Sequence, residues 1–261
     1  MSGDSKTLPV IQSLWVGDEL SVMERLCISS FLRNGHPFHL YTYKNIRNVP
    51  KGTIVRDANE IIHHDRIFKY KDRDTYAGFS NVFRYKLLFE RGNYWVDTDV
   101  VCLRPFKSAG DYVFAKSRRI EEEGGREIPF WMESCVIKAP PGADVLGYCY
   151  EESIKRDPKE LNFGDIGPSL LEEGVKKFRL ENYIAGAEVY CPVAYTDWKK
   201  LISGSQVISS IEQANMLLRR SLAVHLWNEM WRESHTDKNK QFPSASIYES
   251  LKRKYLKDEN S

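Results

Sequence analysis

Two aspartates, Asp97 and Asp99, stand one residue apart beside an apolar, β-rich segment. Side chains alternate along a strand, so this spacing predicts that both carboxylates point to the same side. Hard cations such as Mg²⁺ and Mn²⁺ prefer carboxylate oxygens and keep positions open for water or phosphate. The pair therefore predicts a metal site suited to a diphosphate-bearing substrate. A structural pair neutralised by neighbouring Lys or Arg is the alternative.

The same spacing of two aspartates occurs a second time, and the neighbouring residues distinguish the two copies. Asp72-Arg73-Asp74 lies in the polar run KYKDRDTY, which is typical of a solvated loop. Tyr94-Trp95-Val96 precedes Asp97, and two valines follow Asp99, as expected for the end of a buried strand. The sequence therefore favours Asp97 and Asp99 as the functional pair.

Alternating strand-like and helix-like segments indicate how these aspartates are positioned. Strands are predicted within 9–17, 39–43, 53–55, 112–115 and 134–139, and helices within 20–33, 60–68, 79–91, 144–154 and 170–178. This order predicts an α/β fold with a mostly parallel central sheet. Open sheets of this kind bind ligands beyond the carboxyl ends of their strands, where Asp97 and Asp99 fall.

The helix before the aspartates carries a polar pair and a defined end. Ser80 and Arg84 are four residues apart, so they share a face away from the apolar stripe. Gly92 is the predicted C-terminal cap, and the following Asn93 tolerates a left-handed backbone.

Composition restricts the class of protein. The 261 residues include 42% hydrophobic and 28% charged residues, enough for one sizeable core. A formal charge of +2 argues against nucleic acid as the main partner. The cysteines are odd in number and widely spaced, so their spacing indicates neither a disulfide framework nor a thiolate zinc site: Cys27, Cys102, Cys135, Cys149 and Cys191. The N-terminus lacks the apolar core of a signal peptide, and a cytoplasmic protein is expected.

Two regions are expected along the chain. Residues 1–241 are predicted to form one nucleotide-binding domain, and residues 242–261 a basic helical tail. The tail carries Lys252, Arg253, Lys254 and Lys257, which suggest contact with an anionic membrane surface; an ordinary solvated helix is the alternative.

In order, the segments IQSLWVG, SNVFRYKLLFERGNYWVDTDV, GPSLL and AVHLWN resemble the DXD-containing glycosyltransferases of family 32. Sugar-transferring bacterial toxins share part of the pattern. The resemblance implies a GT-A-type, Rossmann-like single domain, a nucleotide-sugar donor, Mn²⁺ or Mg²⁺, and transfer with retention of anomeric configuration.

The resemblance also assigns metal ligands. Asp99 is expected to bind the metal directly, and Asp97 to contact the metal shell and the ribose. His225 is expected to complete the site, since neutral imidazole is a good ligand for such metals. Without the resemblance, His225 reads as a buried structural histidine. Asn228 is expected to add an oxygen ligand or bind phosphate.

Five residues are expected to bind the donor by the same resemblance. Trp15 resembles the aromatic residue that stacks on the base, and Arg84 the arginine that reaches the sugar or diphosphate. The others are Asn81, Tyr94 and Trp231, whose indole N–H is expected to reach the diphosphate. Asn81 departs from the family, which commonly has Asp there, so the identity of the donor stays open.

Asp165, ahead of Gly167-Pro168, is the candidate carboxylate near the anomeric carbon; a helix cap or loop role is the alternative. Two rival functions remain open. One is a haloacid-dehalogenase-like phosphatase with Asp97 as nucleophile, because DTDVV fits its motif. The other is a nucleotide- or glycan-binding module with a decayed site. The expected acceptor is a saccharide or lipid-linked saccharide of bacterial surface polysaccharide or lipooligosaccharide synthesis.

Overall fold

A six-stranded sheet forms the centre of the protein. The computed structural model describes residues 7–257 except 72, 108–109, 118–131, 205–217 and 219. Asp72 of the polar run therefore lies outside the described residues. The strands are β1 (Ile11–Trp15), β2 (Phe38–Thr42), β3 (Ile54–Asp57), β4 (Asn93–Val96), β5 (Val100–Cys102), β6 (Val113–Lys116), β7 (Met132–Ala139) and β8 (Ala223–His225).

The strand order is β3-β2-β1-β4-β7-β6, and β5 pairs with β8 in a separate two-stranded ladder. β1, β2, β3 and β4 run parallel, whereas β7 is antiparallel to both β4 and β6. The predicted α/β fold with a mostly parallel sheet is confirmed, with an antiparallel margin that the sequence pattern did not reveal.

Helices cover both faces of this sheet. They are α1 (Val22–Arg33), α2 (Ala77–Arg91), α3 (Asp144–Ile154), α4 (Pro168–Lys177), α5 (Ala187–Tyr190), α6 (Asn228–Glu233) and α7 (Ile247–Tyr255). One core lies against α1 and α7, and a second lies against α2, α3 and α4. The two cores shield the inner strands from water, whereas β3 at the sheet edge is exposed along its length.

Local chemistry explains why the elements begin and end where they do. Ser21 and Glu24 form a reciprocal capping box at the start of α1. Gly92 ends α2 with φ 61°, and a Cβ there would lie 2.6 Å from Pro141 Cδ. Asn93 follows with φ 70°, so the predicted cap and the tolerance of Asn are confirmed.

The predicted helix over 60–68 is wrong. That segment holds two 3₁₀ turns, Ala58–Glu60 and His64–Arg66. Asp57 accepts a hydrogen bond from Asn59 N–H, and Asn59 in turn accepts one from His64 N–H. These short side-chain caps compete with a continuous helix, which the weak apolar pattern alone does not stabilise.

The C-terminal helix α7 packs into the first core through Ile247, Tyr248, Leu251 and Tyr255. Tyr248 Oη also donates to Lys238 O at 2.9 Å. The boundary at residue 242 stays a prediction. None of the helices in the described part of the chain combines the length and hydrophobicity needed to cross a bilayer.

Candidate functional site

A cleft of about 890 Å³ opens where the strands of the sheet end. Its floor comes from the segment after β4, the start of β7 and the end of β8. Its walls come from Tyr70, residues 73–77, residues 163–169 and helix α6 with the preceding Trp227. The predicted location beyond the carboxyl end of β4 is therefore where the structure has its cleft.

Asp97 and Asp99 lie on the floor in a tight turn, not on a strand. β4 ends at Val96, Asp97 N–H donates to Cys135 O at 2.9 Å, and Val100 N–H donates back to Asp97 O at 3.1 Å. The prediction that strand alternation brings the two carboxylates together is wrong. The turn does so instead, because the hydrogen bond from Val100 N–H to Asp97 O closes it around both aspartates.

His225 joins the two aspartates through the β5–β8 ladder. Val100 pairs with His225, and Leu226 N–H donates to Asp99 O at 2.8 Å. Nε2 of His225 lies 3.1 Å from Asp99 Oδ2, and ligand atoms of Asp97, Asp99 and His225 all lie within 4.8 Å of one another. Two carboxylates and an imidazole at this spacing suit a divalent cation with open positions.

The electrostatics of the group also fit a cation. Burial raises the pKa of Asp97, and the nearby Asp99 raises it further, while Arg84 opposes both. Burial also acts to raise the pKa of Asp99, but His225 and the Asn228 N–H lower it. Burial acts to lower the pKa of His225. The charge of Asp99 and its hydrogen bond outweigh burial, so the pKa of His225 is raised well above its ordinary value. A divalent cation would relieve the repulsion between the two carboxylates, so the residues present fit the expected metal.

A strained backbone holds Asp99 in position. Trp227, just before α6, adopts a left-handed conformation with φ 60° and ψ 52°. Such a backbone is unusual for a bulky side chain and costs of order 1–3 kcal/mol. It aims the Asn228 N–H at Asp99 Oδ2, at 2.8 Å. The Asn228 side-chain oxygen, the predicted ligand, instead accepts from Lys238 Nζ at 3.0 Å. Asn228 thus lines the cleft while its backbone orients Asp99.

Arg84 reaches the site from α2 and is 3% exposed. Its Nη2 lies 3.0 Å from Asp97 Oδ1 and donates to Ser80 Oγ at 3.1 Å, while Nη1 donates to Ser134 O. Asp97 therefore supplies the negative charge beside the Arg84 guanidinium. Asn81 is buried in the cleft wall, where it accepts a weak hydrogen bond from Ser134 Oγ at 3.4 Å.

Trp15 is the last residue of β1 and lies at the cleft rim. Its Nε1 donates to Glu19 O at 3.1 Å, and a Cβ on Gly17 would lie 2.9 Å from that nitrogen. Lys238 Nζ lies 5.9 Å from the ring centroid. The ring is half-buried and lines the cleft, so one part of it remains available for stacking.

Asp165 also lines the cleft, within the loop before α4. Its Oδ2 accepts from Asn162 N–H at 2.9 Å and from Asn162 Nδ2 at 3.3 Å. Gly167, not Asp165, caps α4. The carboxylate therefore stabilises its own loop in this conformation.

Tyr94 and Trp231 lie outside the cleft, contrary to their predicted donor-binding roles. Tyr94 is 1% exposed and packs against Phe106, because alternation along β4 turns Trp95, not Tyr94, toward the cleft. Trp231 is also 1% exposed, and its indole N–H donates to Leu226 O at 2.7 Å. Its donor is already used within the protein, so it does not reach a diphosphate here.

Two cleft residues escaped the sequence analysis. Glu133 lies at the start of β7, and burial raises its pKa to about 7, against the opposing effects of His225 and Ser117. Its signal was an acidic residue at the start of a buried strand, but the strand was predicted to begin one residue later. Tyr70 is 4% exposed, and its hydroxyl has no hydrogen-bond partner among the described residues. It belongs to a polar run without periodicity, which gave no signal.

Part of this chain matches a known protein family. Residues 159–255 match the family profile described as "Alpha 1,4-glycosyltransferase conserved region". That region includes Asp165, His225 and Asn228. A search of curated proteins gave no significant match.

Solved structures with some likeness include glycosyltransferases. The PaToxG glycosyltransferase has 13% identity and a TM-score of 0.47, over 95% of this chain and 86% of that one. The bifunctional WbbM enzyme has 9% identity and a TM-score of 0.46, over 95% of this chain and 49% of that one. GlyE of Streptococcus pneumoniae has 9% identity and a TM-score of 0.38, over 97% and 64%. These likenesses are distant. Residues 159–255 match the conserved region of the alpha-1,4-glycosyltransferases, and the predicted resemblance to family 32 glycosyltransferases is confirmed.

Proposed function

We propose that this protein is a metal-dependent, retaining glycosyltransferase that moves a hexose from a UDP-sugar to a saccharide acceptor. The observation that carries the proposal is the group of Asp97, Asp99 and His225, whose ligand atoms lie within 4.8 Å of one another in a large cleft. The conserved region over 159–255 supports the reaction class. The UDP-sugar donor, the divalent metal and the retention of anomeric configuration are proposed here.

Asp97, Asp99 and His225 would hold Mn²⁺ or Mg²⁺, and the Asn228 N–H keeps Asp99 oriented toward it. A cation bound there supplies positive charge against the departing nucleoside diphosphate. Trp15 stacks on the base at the rim. Asn81 donates or accepts a hydrogen bond to the ribose or sugar from the cleft wall.

Arg84 fixes Asp97 before substrate arrives. Because its guanidinium is held by Asp97, Ser80 and Ser134, it pays little side-chain entropy when the donor binds. Such preorganised charge contributes to catalysis by stabilising the transition state without reorganising. Arg84 therefore acts mainly by setting the position and charge of Asp97.

Two carboxylates are candidates for the chemistry at the sugar. Asp165 would have to exchange its hydrogen bonds to Asn162 for contact with the sugar. Glu133 lies on the floor, and a pKa of about 7 suits a group that takes a proton from the acceptor hydroxyl. Kinetics of Asp165→Asn and Glu133→Gln separate the two: near-normal turnover removes that residue from the chemistry.

Hydrolysis of the donor without an acceptor tests the proposal. Purified protein is incubated with Mn²⁺ and a panel of UDP-, GDP- and CDP-sugars, and free nucleotide is followed. We expect slow release of UDP from one donor, loss of release in Asp99→Ala, and unchanged release in Asp157→Ala, an exposed carboxylate outside the cleft. Release of inorganic phosphate from a phosphomonoester instead would favour the phosphatase. Binding without turnover would favour a decayed module.

The acceptor is proposed to be a saccharide or lipid-linked saccharide, handled in the cytoplasm at the inner face of a membrane. The basic face of α7 is the proposed contact, although Lys252 already pairs with Glu249 at 2.7 Å. Co-sedimentation with anionic vesicles tests this contact. Equal binding of the wild type and of a Lys254→Glu, Lys257→Glu variant would exclude it.

A further inference from the structure

Three residues from distant parts of the chain form a second group of potential ligands beneath the aspartates. Cys135 lies in β7, Cys191 directly follows α5, and His225 ends β8. Their ligand atoms all lie within 4.8 Å of one another, and all three residues are buried. Their separation in sequence explains why no cysteine-spacing pattern predicted this group.

The spacing of the sulfurs matches a tetrahedral metal centre. Cys135 Sγ and Cys191 Sγ are 3.6 Å apart. Zinc–thiolate bonds of about 2.3 Å at a tetrahedral angle place two sulfurs about 3.8 Å apart, so both cysteines can bind one ion with little movement. Cys135 lines the cleft, which provides a route for the ion and leaves a fourth coordination position for water.

His225 supplies the third ligand atom. Its Nε2 lies 3.1 Å from Asp99, whereas Nδ1 is buried and has no hydrogen-bond partner among the described residues. A buried nitrogen without a partner is unusual and calls for an explanation. In the neutral tautomer that carries its proton on Nε2, Nε2–H donates a hydrogen bond to Asp99. The lone pair on Nδ1 is then available to a metal.

We propose that Cys135, Cys191 and His225 form a binding site for a soft divalent cation such as Zn²⁺, distinct from the oxygen-rich site at the two aspartates. Binding forms two metal–sulfur bonds and one metal–nitrogen bond. Both thiol protons, and the Nδ1 proton of a protonated His225, leave to solvent without any change in oxidation state. Thiolate and imidazole ligands select Zn²⁺ over Mn²⁺ or Mg²⁺, which prefer oxygen.

The two sites exclude each other because they share His225. A neutral imidazole has one nitrogen with a free lone pair. Because Nε2 faces Asp99, a metal at Asp97 and Asp99 would take the lone pair on Nε2, and a metal at Cys135 and Cys191 would take it on Nδ1. Zinc at the cysteine site therefore inhibits loading of the catalytic metal, a consequence that rests on the proposed function.

Cobalt spectroscopy tests the site without any transfer assay. Co²⁺ is titrated into the purified full chain, and the near-ultraviolet sulfur-to-cobalt charge-transfer band is recorded. We expect one equivalent of Co²⁺ to produce the band and Zn²⁺ to abolish it. The band should be lost in Cys191→Ala and retained in Cys149→Ala, a buried cysteine on α3 that contacts neither site. It should also be retained in Asp99→Ala, because carboxylates produce no such band.

No band from the folded wild type would overturn the proposal, as would a band that survives both Cys135→Ala and Cys191→Ala. X-ray absorption of the zinc-loaded wild type gives a result that needs no variant: two sulfur neighbours at about 2.3 Å support the site, and oxygen and nitrogen neighbours alone contradict it. Neither readout uses a sugar donor, so failure of the glycosyltransferase proposal would leave this result intact.

Discussion

The two sides of the cleft are built in different ways. The metal side consists of Asp97, Asp99, His225 and Arg84, which are fixed by a tight turn, a strand ladder and a buried helix. The loop side consists of Tyr70, Arg73 and Phe163, which lie on loops. Arg73 lies 3.1 Å from Glu229, also pairs with Glu233, and stacks over Phe163 at 4.6 Å.

The difference indicates a division of labour. Backbone ladders and buried ion pairs hold the metal side in one geometry, as catalysis by preorganised charge requires. Surface pairs of the kind that holds Arg73 are worth about 0–1 kcal/mol each, so the loop side can rearrange around a substrate. Substitutions on the metal side should therefore lower kcat, and substitutions on the loop side should mainly raise KM.

Asp99→Ala should have the largest effect. Loss of a metal ligand removes several kcal/mol of charge stabilisation, so we expect kcat/KM to fall about a thousandfold. Circular dichroism and thermal unfolding serve as controls for folding. Turnover within tenfold of the wild type at saturating Mn²⁺ would show that the metal side does not carry the chemistry.

Arg84→Lys should have the next largest effect. A lysine keeps the charge but not the fork that contacts Asp97, Ser80 and Ser134 together, so we expect kcat to fall about a hundredfold. Arg91→Lys, on the exposed end of the same helix, is the matched control. Equal activity of the two variants would place Arg84 outside the chemistry.

Glu133→Gln should change how stability depends on pH in the metal-free protein. The pKa of Glu133 rises from 4.5 to about 7 on folding, mainly because of burial. Between these values the unfolded chain loses the proton while the folded protein keeps it, so this group's contribution to stability declines as pH rises through that window. In urea unfolding with EDTA, the variant should therefore gain stability over the wild type toward pH of about 8, and the difference should shrink toward pH of about 4. A difference independent of pH would remove Glu133 from this account.

Tyr70→Phe should have the smallest effect. Its hydroxyl has no hydrogen-bond partner among the described residues, so its loss should not lower the melting temperature. A lost hydrogen bond to substrate should raise KM roughly two- to tenfold with kcat unchanged. Tyr43→Phe is the control, because Tyr43 Oη donates to Ile62 O at 2.8 Å and its loss should cost about 1 kcal/mol. A fall in kcat for Tyr70→Phe would contradict the prediction that loop-side substitutions mainly raise KM.

The metal side was largely predictable from sequence, although for partly wrong reasons. Apolar segments and Gly92 located α2 and β4, and Asp97 and Asp99 follow from their position after that strand. The turn that brings the carboxylates together depends on a hydrogen bond from Asp97 N–H to Cys135 O in β7, which no local pattern encodes. His225 required the family resemblance, because its pairing with β5 spans more than a hundred residues.

The loop side was not predictable in the same way. Tyr70 and Arg73 belong to a polar run, which is typical of a solvated loop. Both instead pack against Phe163, and Arg73 also pairs with Glu229 of α6, contacts that the local sequence does not indicate. Trp231 shows the opposite error. Its indole suits a binding site for the sugar donor, but the residue lies in the core, where its N–H donates to Leu226 O and its ring packs against Tyr248. The type of a side chain indicates which interactions it can make, whereas tertiary contacts determine whether it lies in the cleft or in the core.

Crystals grown with Mn²⁺ and UDP test the central claim most directly. The anomalous difference map at the manganese edge should show one ion bonded to Asp99 and His225, close to Asp97, with diphosphate oxygens completing its coordination. An ion held on the loop side, or UDP bound with no ion near Asp99, would contradict the account.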